Sequence, residues 1–354
     1  MEICIGMVGA SGAGKTSLMT AMFEDMSRQL AVHDETRGLV RISHDDMATK
    51  QAIGESRRRF ADCVRLGRFI AWERSARCSQ FVFHVCFAKD KLEKVYDFRI
   101  MDYPGGLLSE QEEFEKTCLP HIRRSAVLFV PIDAVALVSW FKARTNNPDL
   151  ARKVIDSLQI DRVREVVRIW AKDGKADATV RLLFFVPVKT ESFYADNRNC
   201  LEDHSADIAA AVQELYVEPL RNISREGRVT MQLHPVDTYG CVKLESAEWN
   251  AEKQVLEETF DVAGGKVLAP KGAVNLLSET LSSAVKANEE EFKRRVETSW
   301  EVIQNRGALS RLFHAVFGDA EKAKMQRSKT AADFYEDASN AICAFSTSKR
   351  PTTI

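Results

Sequence analysis

The chain has 354 residues, 45% of them hydrophobic, and a formal net charge of −1. That length and apolar content exclude a disordered or fibrous protein and allow one large core with a helical appendage, or two modest domains. The charge balance excludes an overall basic field that would draw the chain to nucleic acid or to an anionic membrane, and neither partner is predicted.

The apolar stretch Ile3 to Val8 reads as the first strand, leaving no room for a signal peptide. It runs directly into Gly9-Ala10-Ser11-Gly12-Ala13-Gly14-Lys15-Thr16, a full G-x-x-x-x-G-K-[ST] match. Leu18, Met19, Met22, Phe23, Met26 and Leu30 then recur at helical spacing, predicting a helix from Ser17 to Ala31. A match set between strand and helix is a phosphate loop. Its glycines let the amides from Gly9 through Ser11, Gly12, Ala13 and Gly14 to Ser17 converge on phosphate oxygens at the positive end of the helix. Lys15 is the candidate for the β- and γ-phosphates, and the Thr16 hydroxyl for Mg²⁺.

From His44 to Gly67 the pattern is polar and helical, and it carries Arg57, Arg58, Arg59 and Arg65, with Arg68, Arg74 and Arg77 beyond. Glu55, Asp62 and Glu73 offset these charges, as on a solvated face. The alternative is a partner-binding surface, or an arginine offered to a γ-phosphate. Two alternating runs, Phe81 to Phe87 and Val95 to Met101, are joined by the charged link Lys89 to Lys94 and predict an antiparallel hairpin. The second run ends in Asp102-Tyr103-Pro104-Gly105, a D-x-x-G.

Three further strands are expected at βα spacing: Ala126 to Ile132, Val180 to Val188, and Val229 to Val236. The longest apolar run, Ala126 to Val138, is interrupted by Pro131 and Asp133 and is too short to span a bilayer. Residues 139–178 exceed a simple crossover and predict a helical insertion. From Ala273 a long amphipathic pattern begins, with Val274, Leu277, Leu281, Phe292 and Trp300 on one stripe. The expected organisation is a nucleotide-binding domain over 1–265, a helical extension over 266–345 and a flexible tail over 346–354. Its fold is α/β, a P-loop NTPase with a mostly parallel sheet, one antiparallel hairpin strand and helices on both faces. Cys4, Cys63, Cys78, Cys86, Cys118, Cys200, Cys241 and Cys343 form no C-x-x-C pair, which fits reduced thiols in a cytoplasmic protein.

A phosphate loop followed by a hairpin ending in D-x-x-G resembles the Ras-like (TRAFAC-type) GTPases. The resemblance implies that Asp102 contacts Mg²⁺ through water and that the Gly105 N–H senses the γ-phosphate, giving a GTP/GDP switch. The family's N-K-x-D base motif corresponds to Val188-Lys189-Thr190-Glu191. Lys189 would stack along the base and Glu191 would accept from the guanine edge. Val188 lacks the family's amide, so ATP stays open. Asp237-Thr238-Tyr239-Gly240 stands where the family contacts the base oxygen through a backbone N–H, which makes Thr238 a further candidate. Gly106 replaces the water-orienting Gln, so hydrolysis should be slow or depend on another residue or a partner; Glu110, Gln111 and Arg123 are candidates nearby. Thr36, Thr49, Ser75 and Ser79 qualify to complete the Mg²⁺ shell, with Ser75 or Ser79 best placed.

More narrowly, Gly9 to Ser17, Asp102 to Gly106, Pro187 to Glu191 and Pro235 to Gly240, with a helical C-terminus, resemble the bacterial double-GTPase and conflict-associated GTPase-like families. That resemblance implies protein partners, often in phage defence. Two other readings stay open: an ATPase or P-loop kinase, and a nucleotide-bound scaffold with little hydrolysis.

Overall fold

A computed structural model describes residues 2–29, 39–43, 46–69, 78–88, 92–173, 181–227, 229–262, 267–277 and 279–280. The first strand, β1 (Glu2–Met7), leads through the phosphate loop into α1 (Lys15–Gln29). After β2 (Leu39–Ser43) comes α2 (Met47–Leu66). Asp46 caps α2 by accepting the Thr49 N–H at 2.7 Å, and Gly67 closes it in the left-handed conformation. A two-residue strand, β3 (Arg68–Phe69), precedes the hairpin of β4 (Ser79–Ala88) and β5 (Leu92–Asp102). Gly105–Ser109 then forms a single 3-10 turn ahead of α3 (Gln111–Thr117) and α4 (Leu119–Arg124).

The strand β6 (Val127–Asp133) feeds three helices, α5 (Ala134–Asn146), α6 (Pro148–Ser157) and α7 (Ile160–Asp173). There follow β7 (Arg181–Val188), α8 (Ser205–Val212) and α9 (Glu218–Gly227), then β8 (Val229–Leu233), β9 (Val242–Asn250) and β10 (Val255–Val262). The main sheet has the order β2-β4-β5-β1-β6-β7-β8. β1 pairs in parallel with β5 and β6, and β7 with β6 and β8. Because β2 and β5 both oppose β4, only β4 runs against the rest. β6 and β7 are buried along their whole length, as strands covered on both faces must be.

Two apolar clusters lie on the two faces of this sheet, one gathering α5, α6, α7 and α8, the other α1 and residues 273–277. This is the expected α/β P-loop NTPase architecture, with β1 central and the ends of β1, β5, β6 and β7 at one edge. Val274 N–H donates to Asp25 at 3.0 Å, fixing the start of the C-terminal helical pattern against α1. The remainder of the expected extension and the tail, 281–354, lies outside the described residues.

Two features have no counterpart among the expected ones, the edge strand β2 beside β4 and a second sheet. β3, β10 and β9 form a separate antiparallel sheet that joins the end of α2 to the chain beyond β8. Its strands carry Glu245, Glu248, Glu257 and Glu258 among their apolar residues, so the alternation of a half-exposed hairpin is masked by charge.

Candidate nucleotide site

The phosphate loop leaves β1 at the sheet edge, where Val8 N–H donates to Phe129 O at 2.9 Å. Lys15, only 6% exposed, curls back so that its ammonium donates to the carbonyls of Gly9 (2.8 Å) and Ala10 (2.9 Å). Burial pushes its pKa down to about 8 against the attraction of Asp102. The Thr16 hydroxyl donates to Asp102 Oδ2 at 2.5 Å. Asp102 Oδ1 is buried without a hydrogen-bond partner. Burial raises the Asp102 pKa, opposed by the Thr16 hydroxyl and by Lys15. Gly105 packs against the loop so closely that a β-carbon there would lie 2.4 Å from Ser11 Cα, so no side chain fits at that position.

Loop and D-x-x-G together open into a cleft of about 860 Å³ lined by Ala10, Ser11, Gly12, Ala13, Gly14, Lys15, Thr16 and Ser17, by Asp102 and Gly105, and by Lys189 and Tyr239. Its far wall is the second sheet, from Trp249 to Phe260, and the turn between α6 and α7. Ser17 Oγ and Tyr239 Oη are 2.7 Å apart, and the Tyr239 ring stacks on Phe60 of α2 with centroids separated by 6.1 Å. That contact brings α2 to the cleft, and Arg59 of its arginine cluster lines it. Arg59 pairs there with Glu55, Arg57 with Glu24, and Arg65 with Asp62.

The segment after β7 is built differently from the phosphate side. Val188 is fully buried beneath Gly14, and Lys189 follows with φ +61°. The Lys189 ammonium donates to Asp133 at the end of β6 and to Glu258 of β10 at 2.6 Å. Glu191 and Thr238 are 1% and 2% exposed and do not line the cleft. Glu191 Oε1 accepts from Tyr239 N–H (2.6 Å), Gly240 N–H (3.1 Å) and the Thr238 hydroxyl (3.3 Å), while its Oε2 is buried without a partner. Burial, reinforced by Asp237, pushes the Glu191 pKa up to about 7.

Among the sequence candidates for the magnesium shell, Thr49 has its hydroxyl bonded to Asp46 and to Val82 N–H, and Ser79 stands opposite Asp102 in the β4–β5 register. Thr36 and Ser75 lie outside the described residues. Glu110, Gln111 and Arg123 are all away from the cleft; Gln111 bonds Glu115 and Arg123 pairs with Asp173. Sequence reasoning missed Glu258, which reaches Lys189 from a strand hidden by its charges. It also missed Gln159, which lines the cleft from the turn between α6 and α7.

The Lys189 trio makes a pH-dependent contribution to stability. Burial raises Glu258, with Asp133 adding to it, from 4.5 to about 8. Burial alone would lower Lys189, but its two carboxylates overcome this and hold it above the usual lysine range. Because Glu258 keeps a proton in the fold that the unfolded chain has already released, stability falls as pH rises from about 4.5 to 8. Glu258→Gln removes that proton uptake and leaves Asp133 to pair Lys189. Urea unfolding at pH 5 and pH 8 should show a decline on the order of 2 kcal/mol in the wild type that is flattened in the variant.

Among the described residues no group of three or more His, Cys, Asp or Glu could hold a metal ion. A magnesium ion bound with a phosphate chain needs fewer protein ligands, because phosphate and water complete its shell. Thr16 and the unpartnered Asp102 Oδ1 suit that limited role. No described helix is long and apolar enough to cross a membrane. No curated protein sequence matches the chain. The sequence model described as Double-GTPase 2 matches residues 3–228, which include the phosphate loop, Asp102, Gly105, Lys189 and Glu191. Its span covers most of the main sheet together with the cleft's phosphate side, and the chain belongs to the Double-GTPase 2 family.

Proposed function

We propose that the chain is a Mg²⁺-dependent switch that binds GTP and hydrolyses it to GDP, with protein partners reading the difference. The observation that carries this reading is the Thr16–Asp102 pair beside a complete phosphate loop, with Asp102 Oδ1 buried and unpartnered. Such an oxygen is costly unless something completes it, and a hydrated cation does so.

In this reading Lys15 exchanges the Gly9 and Ala10 carbonyls for phosphate oxygens, and the loop amides hold the rest of the phosphate chain. Thr16 and Asp102 hold Mg²⁺, which when bound neutralises charge on the phosphates. Gly105, already in contact with the loop, offers its N–H to the terminal phosphate, and release of that contact frees the turn 105–109. On the base side, the stem of Lys189 supplies the flat surface, and Glu191 Oε2, buried outside the cleft in this arrangement, accepts from the two donors of the guanine edge once the loop 238–240 moves aside. The Glu191 bonds to Tyr239 and Gly240 tie that recognition to the loop after β8.

Glu191→Gln tests the base assignment with little disturbance. The amide oxygen can keep the three loop donors, while its NH₂ presents a donor where the carboxylate accepted. The wild type should prefer GTP to ATP. The variant should lose about 10- to 100-fold in GTP affinity and gain affinity for XTP, whose base carries a carbonyl where guanine has an amino group. A wild-type preference for ATP would sink the guanine assignment.

A further inference from the structure

We propose that Gln159, at the turn between α6 and α7, supplies the water-orienting group that Gly106 cannot. This rests on the hydrolase reading above.

Three observations converge on Gln159. It lines the cleft together with Lys15, Thr16 and Gly105, although it is far from the loop in sequence. Its side-chain Nε2 donates to Ser109 Oγ at 2.9 Å, while its Oε1 is buried with no partner. Its backbone has φ +49°, a left-handed conformation between the end of α6 and the start of α7. Glycine or asparagine takes that conformation at lower cost, so a glutamine there is a local strain that the rest of the fold must support. An unmatched carbonyl oxygen on a strained residue beside a reactive cleft is better explained by a task than by packing.

The task follows from the chemistry. Hydrolysis joins the oxygen of a water molecule to the γ-phosphorus as the bond to the bridging oxygen breaks. The electron pair of that bond stays on GDP, and the proton of the water leaves with the phosphate product. An amide is too weak a base to take the proton, but its oxygen can hold one O–H of the water and aim a lone pair at phosphorus. Gly106 has no side chain to do this, and a β-carbon there would meet nothing within 4 Å.

Delivery is tied to the switch itself. Besides the Gln159–Ser109 bond, Arg162 Nε donates to Leu108 O at 3.0 Å, so the start of α7 grips the same 3-10 turn that follows Gly105. In this arrangement Oε1 is buried. A pull on Gly105 that moves the turn opens Oε1 to water, so the orienting group is presented only when a terminal phosphate is engaged.

The test uses the full chain with Gln159→Gly and Gln159→Glu. Gln159→Gly relieves the backbone strain, so its melting temperature should rise while kcat for GTP falls about 100-fold and KM and GDP affinity stay within about twofold. Gln159→Glu keeps an acceptor oxygen that can also take the Ser109 hydroxyl, and kcat should return to within about tenfold of wild type. Wild-type kcat in Gln159→Gly overturns the inference, as does a parallel loss of GDP affinity or equal damage in both variants. A wild-type chain that neither turns over GTP nor captures GDP with aluminium fluoride overturns the hydrolase reading, and this inference with it.

Discussion

Replacing Lys15 with methionine is expected to lower GTP turnover by about a thousandfold and, at the same time, to raise the melting temperature of the nucleotide-free protein. The first effect follows from the proposed role of the ammonium against phosphate charge that grows in the transition state, where one preorganised donor is worth about 100- to 1,000-fold. The second follows from its surroundings. Lys15 is buried, and its pKa is pushed from 10.5 down to about 8, so holding it charged at neutral pH costs the fold up to about 2–3 kcal/mol. Two carbonyls return part of that cost, and methionine fills similar space without the charge. Single-turnover kinetics and thermal unfolding on the same preparation check both halves. Unchanged turnover would refute the assignment of Lys15 to the phosphates, and a drop in melting temperature would show that the lysine stabilises the empty loop.

Gly240→Ala should be the most disruptive small substitution in the cleft region. Gly240 has φ +69°, and a β-carbon on it would sit 1.8 Å from the carbonyl oxygen of Ala269. The Tyr239 carbonyl accepts from Ala269 N–H at 2.7 Å, so the two backbones cannot separate without losing a bond. Adding the left-handed penalty to the overpacking gives a loss of about 2–5 kcal/mol. The strain would also reach Glu191, whose carboxylate is held by the Tyr239 and Gly240 amides, so GTP affinity should fall with stability. Urea unfolding together with nucleotide titration measures both. A variant as stable as wild type would mean that residues 267–271 yield freely.

The parts legible in the sequence are those where one local pattern decides the outcome. Ile3 to Val8 followed by the glycine-rich loop, the apolar runs of β6 and β7, and the hairpin ending at Asp102 each state their element without outside help. The second sheet is different in kind. β3 is two residues long, and β9 and β10 mix glutamates into faces that are only half covered, so neither length nor alternation marks them. Gln159 carries no pattern at all. The role proposed for it rests on a positive φ, an orphaned oxygen and a bond to Ser109, none of which spacing encodes. Glu191 shows a third case: its residue type and position were readable, but not that one of its oxygens is held by the loop amides while the other has no partner.

The pairing of residues 68–69 with residues 260–261 also has a consequence for biosynthesis. Chains fold as they leave the ribosome, N-terminal parts first, and contacts between distant segments form last. A growing chain therefore carries a finished phosphate loop well before β9 and β10 have emerged to wall the cleft. Until then the site is a shallow, open cradle, with Lys189 lacking its Glu258 partner. In the proposed reading, tight capture of a nucleotide would follow the completion of residues 242–262.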